Sequence, residues 1–136
     1  MQMKIGLDTS VVLRLLTGEP EAQARLALAE VQTLTTRGVS LFVSDLVTSE
    51  VYFALQYHYA VPKVEALSIL AQFFAESGVQ ALGAAAAVLS VRGLAKANPG
   101  FVDRLIHAGY ISSVGEVLTF EKAAGRLQSV RVLTTA

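Results

Sequence analysis

Short continuous apolar runs alternate along this chain with longer stretches in which apolar positions recur every three or four residues. The first pattern suits a buried strand and the second an amphipathic helix. Met3 to Leu7 reads as a strand, and Asp8-Thr9-Ser10, residues that favour helix caps, introduce a helix through Val11 to Leu16. Gly18-Glu19-Pro20 breaks the chain. A helix is expected from Pro20 to about Arg37, ended by Gly38, and then a strand over Val39 to Val43. Ser44 is placed to cap a helix running to about Tyr59, with Asp45 in its first turn. Pro62 opens another, whose Val64, Leu67, Leu70, Ala71 and Phe74 share a face until Gly78. Val79 to Leu82 reads as a weak strand, and the alanine-rich segment from about Ala84 to Ala97 as a helix that stops at the turn Asn98-Pro99-Gly100. A helix over Phe101 to Ile111, a strand over Val117 to Phe120, a short helix over Lys122 to Leu127 and a last strand over Val130 to Leu133 complete the pattern. Alternation of this kind predicts an α/β fold whose mostly parallel sheet is covered on both faces. With no linker, repeat or low-complexity tail, residues 1–136 are expected to form one domain.

Composition changes one part of this picture. Charged residues make up only 16% of the 136, and 53% are hydrophobic. An ordinary soluble domain carries about 25% charge, so apolar surface is expected outside the core, and large exposed patches mark partners. The expectation is a homodimer through the helices of Ser44 to Tyr59 and Pro62 to Ser77. Eleven basic residues balance eleven acidic ones, which argues against coating nucleic acid by bulk charge and leaves a local basic groove open. The absence of cysteine removes disulfides, thiolate zinc sites and cysteine nucleophiles. Met1-Gln2-Met3-Lys4 runs straight into the stretch that meets Asp8, so no signal-peptide core is expected. The longest uncharged run, between Glu76 and Arg92, is shorter than the ~20 residues of a membrane span and reads as core. The default location is cytoplasmic.

In parallel α/β sheets, sites form beyond the carboxyl ends of strands. Asp8 ends the first strand, Glu50 lies inside the helix after the second, Asp103 falls in the first turn of its helix, and Glu121 follows the Val117 to Phe120 strand. Each has an ordinary reading: Asp8 as a helix cap, Glu50 as a solvated acid, Asp103 as a partner of the helix dipole or of Arg104, and Glu121 as a surface acid. Glu50 sits beside the apolar Val47, Val51, Ala54 and Leu55, and if buried there it would need a pair or a cation. Four acids converging on one edge would repel one another unless a divalent cation neutralised them, and all-oxygen ligands favour Mg²⁺ or Mn²⁺ over zinc.

Ile5-Gly6-Leu7-Asp8-Thr9-Ser10-Val11-Val12, Val43-Ser44-Asp45-Leu46-Val47-Thr48-Ser49-Glu50-Val51, Phe101-Val102-Asp103-Arg104-Leu105-Ile106 and Leu118-Thr119-Phe120-Glu121-Lys122-Ala123 resemble, in order and spacing, the four motifs of PIN-domain ribonucleases. The resemblance is closest to the VapC-type toxins of bacterial toxin–antitoxin modules. It implies a PIN-like three-layer α/β/α domain with a central mostly parallel sheet, and a metal-dependent endoribonuclease using Mg²⁺ or Mn²⁺ on an RNA substrate, silenced by a cognate antitoxin. It also implies that Asp8, Glu50 and Asp103 are the principal acids. Glu121 stands where the family usually has Asp, and Thr9 and Thr119 match hydroxyl positions that hydrogen-bond around the acids. The departure at Glu121 makes a catalytically impaired binding or scaffold protein the alternative. A receiver or a haloacid-type hydrolase fits poorly, since Asp8-Thr9-Ser10 provides neither paired acids nor Asp-x-Asp.

Among the basic residues Arg14, Lys96, Arg104, Lys122 and Arg126, the two that adjoin acids, Arg104 and Lys122, are the candidates for RNA contact. His58 and His107 lack a second histidine at ligand spacing, so a histidine-built metal site is not expected. Tyr52, Tyr57 and Tyr59, at helical spacing, are expected to pack in the core or a dimer rather than stack on bases.

Overall fold

The computed structural model describes residues 3–135, so Met1 and Gln2, part of the stretch from which the lack of a leader is expected, lie outside the described residues. Two compact units make up the chain, one ending at Leu82 and the other beginning at Gly83.

The first unit opens with strand β1 (Lys4–Gly6), which runs directly into helix α1 (Thr9–Thr17). Asp8 takes the N-cap position in an extended conformation, and Gly18, at a left-handed φ of 72°, closes the helix by donating its N–H to the Arg14 carbonyl. Helix α2 (Glu21–Thr36) follows, then strand β2 (Ser40–Val43). Ser44 caps helix α3 (Asp45–Tyr57), its Oγ accepting the Val47 N–H at 3.2 Å. Helix α4 (Lys63–Glu76) and the two-residue strand β3 (Gln80–Ala81) complete the unit. The three strands pair in parallel in the order β1-β2-β3, with Ile5 opposite Leu41 and Val43 opposite Ala81. Parallel pairing needs a crossover connection between neighbouring strands, and helices supply one each time.

Burial in this unit falls on one face of each packed helix. Val51, Tyr52 and Leu55 of α3 are buried, as are Ala66, Leu67, Leu70 and Phe73 of α4, and these two helices lie against each other. Thr48, the one buried polar residue among those described, satisfies its hydroxyl on the Ser44 carbonyl at 2.9 Å. Helix α2 is different, because none of its residues is buried. It packs against α1, and beside that contact lies a groove of about 400 Å³ lined by Ile5, Val11, Leu26 and Leu34.

The second unit contains helix α5 (Ala85–Leu89), helix α6 (Phe101–Ser113) and two strands, β4 (Val117–Thr119) and β5 (Val130–Val132), which pair in parallel with Leu118 opposite Arg131. A 3₁₀ segment, Lys122–Arg126, lies in the connection from β4 to β5. Phe101 and Leu105 of α6 and Ala85 and Val88 of α5 are buried.

The expected helix over Ala84 to Ala97 is corrected here: α5 covers only Ala85–Leu89, and a second short 3₁₀ segment occupies Leu94–Lys96. Alanine content favoured a longer helix, but the Ser90 hydroxyl turns back to the Ala87 carbonyl at 2.6 Å and Gly93 adopts a φ of 70°. Both features end a helix rather than extend it. The segment Lys122–Arg126 likewise forms 3₁₀ turns in place of a regular short helix. Among the described residues no helix is long and apolar enough to cross a membrane.

Candidate functional site

The turn from β1 into α1 presents Asp8 at the carboxyl end of a strand. Its Oδ1 accepts the Thr9 backbone N–H at 2.8 Å, which is a capping contact, while its second oxygen has no hydrogen-bond partner among the described residues. Thr9 is itself oriented by helix α1, and its hydroxyl donates to Glu50 Oε1 at 2.9 Å across 41 residues of sequence. One threonine thus ties the first acid to the second, backbone N–H to Asp8 and side chain to Glu50. Asp8 and Glu50 are both exposed. The demand that a buried Glu50 would make for a partner therefore does not arise, since the acid stands on the open side of α3 between the exposed Leu46 and Phe53.

A second arrangement of two acids and a threonine occurs in the second unit. Asp103 lies in the first turn of α6, where the helix dipole favours a carboxylate. Glu121 follows β4, and its backbone N–H donates to the Thr119 hydroxyl at 3.0 Å. Asp103, Thr119 and Glu121 all line one cleft of about 200 Å³ between α6 and β4.

Two neighbouring cations, Arg104 and Arg126, are otherwise engaged. Arg104, expected either to pair with Asp103 or to meet RNA, donates its Nε to the Pro99 carbonyl at 2.7 Å. Arg126 reaches the Asn98 carbonyl at 3.3 Å. Together they fix the backbone that leads into α6. Lys122 is exposed beside Glu121. Among the described residues, none of Asp8, Glu50, Asp103 and Glu121 forms a salt bridge. His107 uses Nε2 on the Gln128 carbonyl at 2.6 Å; because a carbonyl only accepts, this nitrogen is the donor.

These donors fit a hard divalent cation. They are carboxylate and hydroxyl oxygens, unpaired with any cation among the described residues, in a chain without cysteine. Within neither unit do the described residues gather three or more acids or histidines about one point; the first unit holds Asp8 and Glu50, the second Asp103 and Glu121. Sequence reasoning missed the cleft. Its wall is one face of α6, Asp103, Ile106, His107 and Tyr110, a three-and-four spacing that is present in the sequence but yields nothing when histidines are considered only as metal ligands. Of the tyrosines expected in the core or a dimer, Tyr52 is buried and burial pushes its phenol up, whereas Tyr57 is 79% exposed and belongs to no core.

No curated protein matches the chain. The family profile described as PIN domain matches residues 5–129.

Proposed function

The chain belongs to the PIN-domain family, a family of nucleases that generally act on RNA with divalent metals, and from that premise we propose that it is an Mg²⁺- or Mn²⁺-dependent endoribonuclease, the toxin of a type II toxin–antitoxin pair. The observation that carries this reading is the Thr9 bridge. It holds Asp8 and Glu50 in one arrangement and leaves an oxygen of each without a hydrogen-bond partner among the described residues. Carboxylates fastened from one side and open on the other are suited to a cation and a reacting phosphate, and ill suited to a structural ion pair.

Asp8, Glu50 and Asp103 would hold the ion, with Glu121 making a looser contact through its longer side chain. When bound, Mg²⁺ or Mn²⁺ acidifies a coordinated water and offsets charge on the phosphate under attack. Thr9 keeps the Asp8 and Glu50 carboxylates oriented, so that neither must be reorganised as the substrate arrives. Glu50 either binds the ion or orients the attacking water. Thr119 fixes the start of the segment that carries Glu121. Lys122 is the exposed cation proposed to meet the RNA backbone, a contact needed where acids would otherwise repel phosphate. Arg104 shares that task only with whatever its clamp on Pro99 leaves free.

Incubation of purified protein with total RNA tests the reading. Cleavage is expected with Mg²⁺ or Mn²⁺, none with chelator, and none from Asp8→Asn. Intact RNA in both metals would leave the scaffold alternative.

A further inference from the structure

Two residues of the cleft between α6 and β4, Asp103 and Glu121, are assigned to the metal, but its apolar walls and its two rings are not accounted for by metal binding. At about 200 Å³ it lies below the roughly 300–1,000 Å³ typical of pockets for drug-sized ligands, so it admits one small ring system and not a peptide or a whole dinucleotide. Asp103 stands at one end of its α6 wall and Tyr110 two turns further along, about 10 Å away at 1.5 Å per residue. A group seated near Tyr110 therefore lies about 10 Å along the helix from the acid.

The lining is mostly apolar, with two rings, His107 and Tyr110, and neither ring stacks on another among the described residues. The charged groups at its edge are acceptors, since the carboxylates of Asp103 and Glu121 carry no donor; the His107 Nε2–H is spent on Gln128, and the Thr119 and Tyr110 hydroxyls can donate or accept. An acidic, acceptor-rich rim around an apolar, ring-bearing floor repels phosphate and admits an uncharged planar heterocycle. Unstacked bases of RNA are held in this way, by ring stacking and by hydrogen bonds to their edges.

We propose that this cleft seats one unpaired nucleobase of the RNA substrate, and that it favours a base carrying an exocyclic amine over uracil. The inference rests on the ribonuclease reading for its ligand. Adenine and cytosine each offer an N–H₂ group to the carboxylates, whereas uracil turns two carbonyl oxygens to the same rim with a single N–H between them. Tyr110 supplies the face on which the base lies, and Leu127 and Ala124 close the cleft on the side opposite α6.

Binding of fluorescent hexamers of adenylate, cytidylate and uridylate to the full-length chain tests this, measured by anisotropy in metal-free buffer with the Asp8→Asn substitution in every protein to prevent cleavage. The adenylate and cytidylate hexamers are expected to bind about tenfold more tightly than uridylate. Tyr110→Ala should weaken adenylate binding by about tenfold, the low end of what one base-on-ring stack contributes. Ala124→Leu, which fills the cleft from a different element, should abolish the preference, and circular dichroism identifies any variant that fails to fold. Equal binding of all three hexamers, no binding at all, or a preference untouched in both folded variants overturns the proposal. If the wild-type chain cleaves no RNA yet the Tyr110-dependent preference persists, the cleft assignment stands and the nuclease reading fails. Cleavage without any such preference leaves the nuclease reading standing and removes the cleft assignment.

Discussion

Thr9 is the residue on which the geometry of the first acid pair depends. Removing its hydroxyl in Thr9→Ala frees Glu50, and the loss of one supporting contact at a metal site lowers activity by about 10- to 100-fold. Thr9→Ser, which keeps the donor, should restore most of the rate, a rescue that a merely structural role would not require. Asp8→Asn and Asp103→Asn should abolish cleavage, whereas Glu121→Gln should lower it by no more than about a hundredfold, with better recovery in Mn²⁺ than in Mg²⁺. Equal abolition by all three acids would show that Glu121 is a full ligand. Tyr52 gives a prediction of another kind. Desolvation raises its pKa above the unfolded value, so the fold favours the protonated phenol: the associated stability is intact below about pH 10 and is lost as pH rises further. Unfolding followed across that range should show a shallower alkaline decline for Tyr52→Phe.

At the scale of elements, much of the fold was legible because local signals agreed with one another. Ser44 caps α3 as its position and residue type implied, and Gly18, Gly38 and Gly78 each take the positive φ that ends a helix. The segment after Ala84 was misread for a physical reason: alanine raises helix propensity over every register, but Ser90 and Gly93 supply competing local bonds and a left-handed turn that propensity does not register. The candidate site was half legible. Residue types and strand ends singled out the four candidate acids, yet which hydroxyl meets which acid depends on side-chain contacts between residues 41 apart, and the cleft depends on two elements meeting. Helices also differ in what they contribute to stability. Leu70→Ala in α4 empties a fully packed position and should cost about 2–5 kcal/mol. Leu26→Ala in α2, at 71% exposure, should stay within about 0.5 kcal/mol. Urea denaturation of both variants measures the contrast, and comparable losses would mean that α2 is held by packing its exposure does not reveal.

For the whole molecule, the low charge content finds a counterpart in Phe53 and Tyr57, exposed at the carboxyl-terminal end of α3 beyond Glu50, with Val64 exposed on α4. We propose that these helices form the homodimer interface, in which identical patches meet across a two-fold axis. Sedimentation at tens of micromolar, about ten times a micromolar dissociation constant, should show a dimer that Phe53→Glu disrupts, and a monomeric wild type would remove the proposal. As a toxin, the chain should arrest growth when induced alone, and Asp103→Asn should relieve the arrest while the protein remains folded. Acids from both units are proposed to serve one reaction, and groups that act as a unit are strongly non-additive. The rate of cleavage of a single-stranded RNA in Mg²⁺ by wild type, Asp8→Asn, Asp103→Asn and the double variant therefore probes the shared reaction itself. Each single substitution is expected to remove nearly all activity, and the double variant to be no slower than either. Independent, multiplying losses, or full activity in either single variant, would contradict a shared reaction.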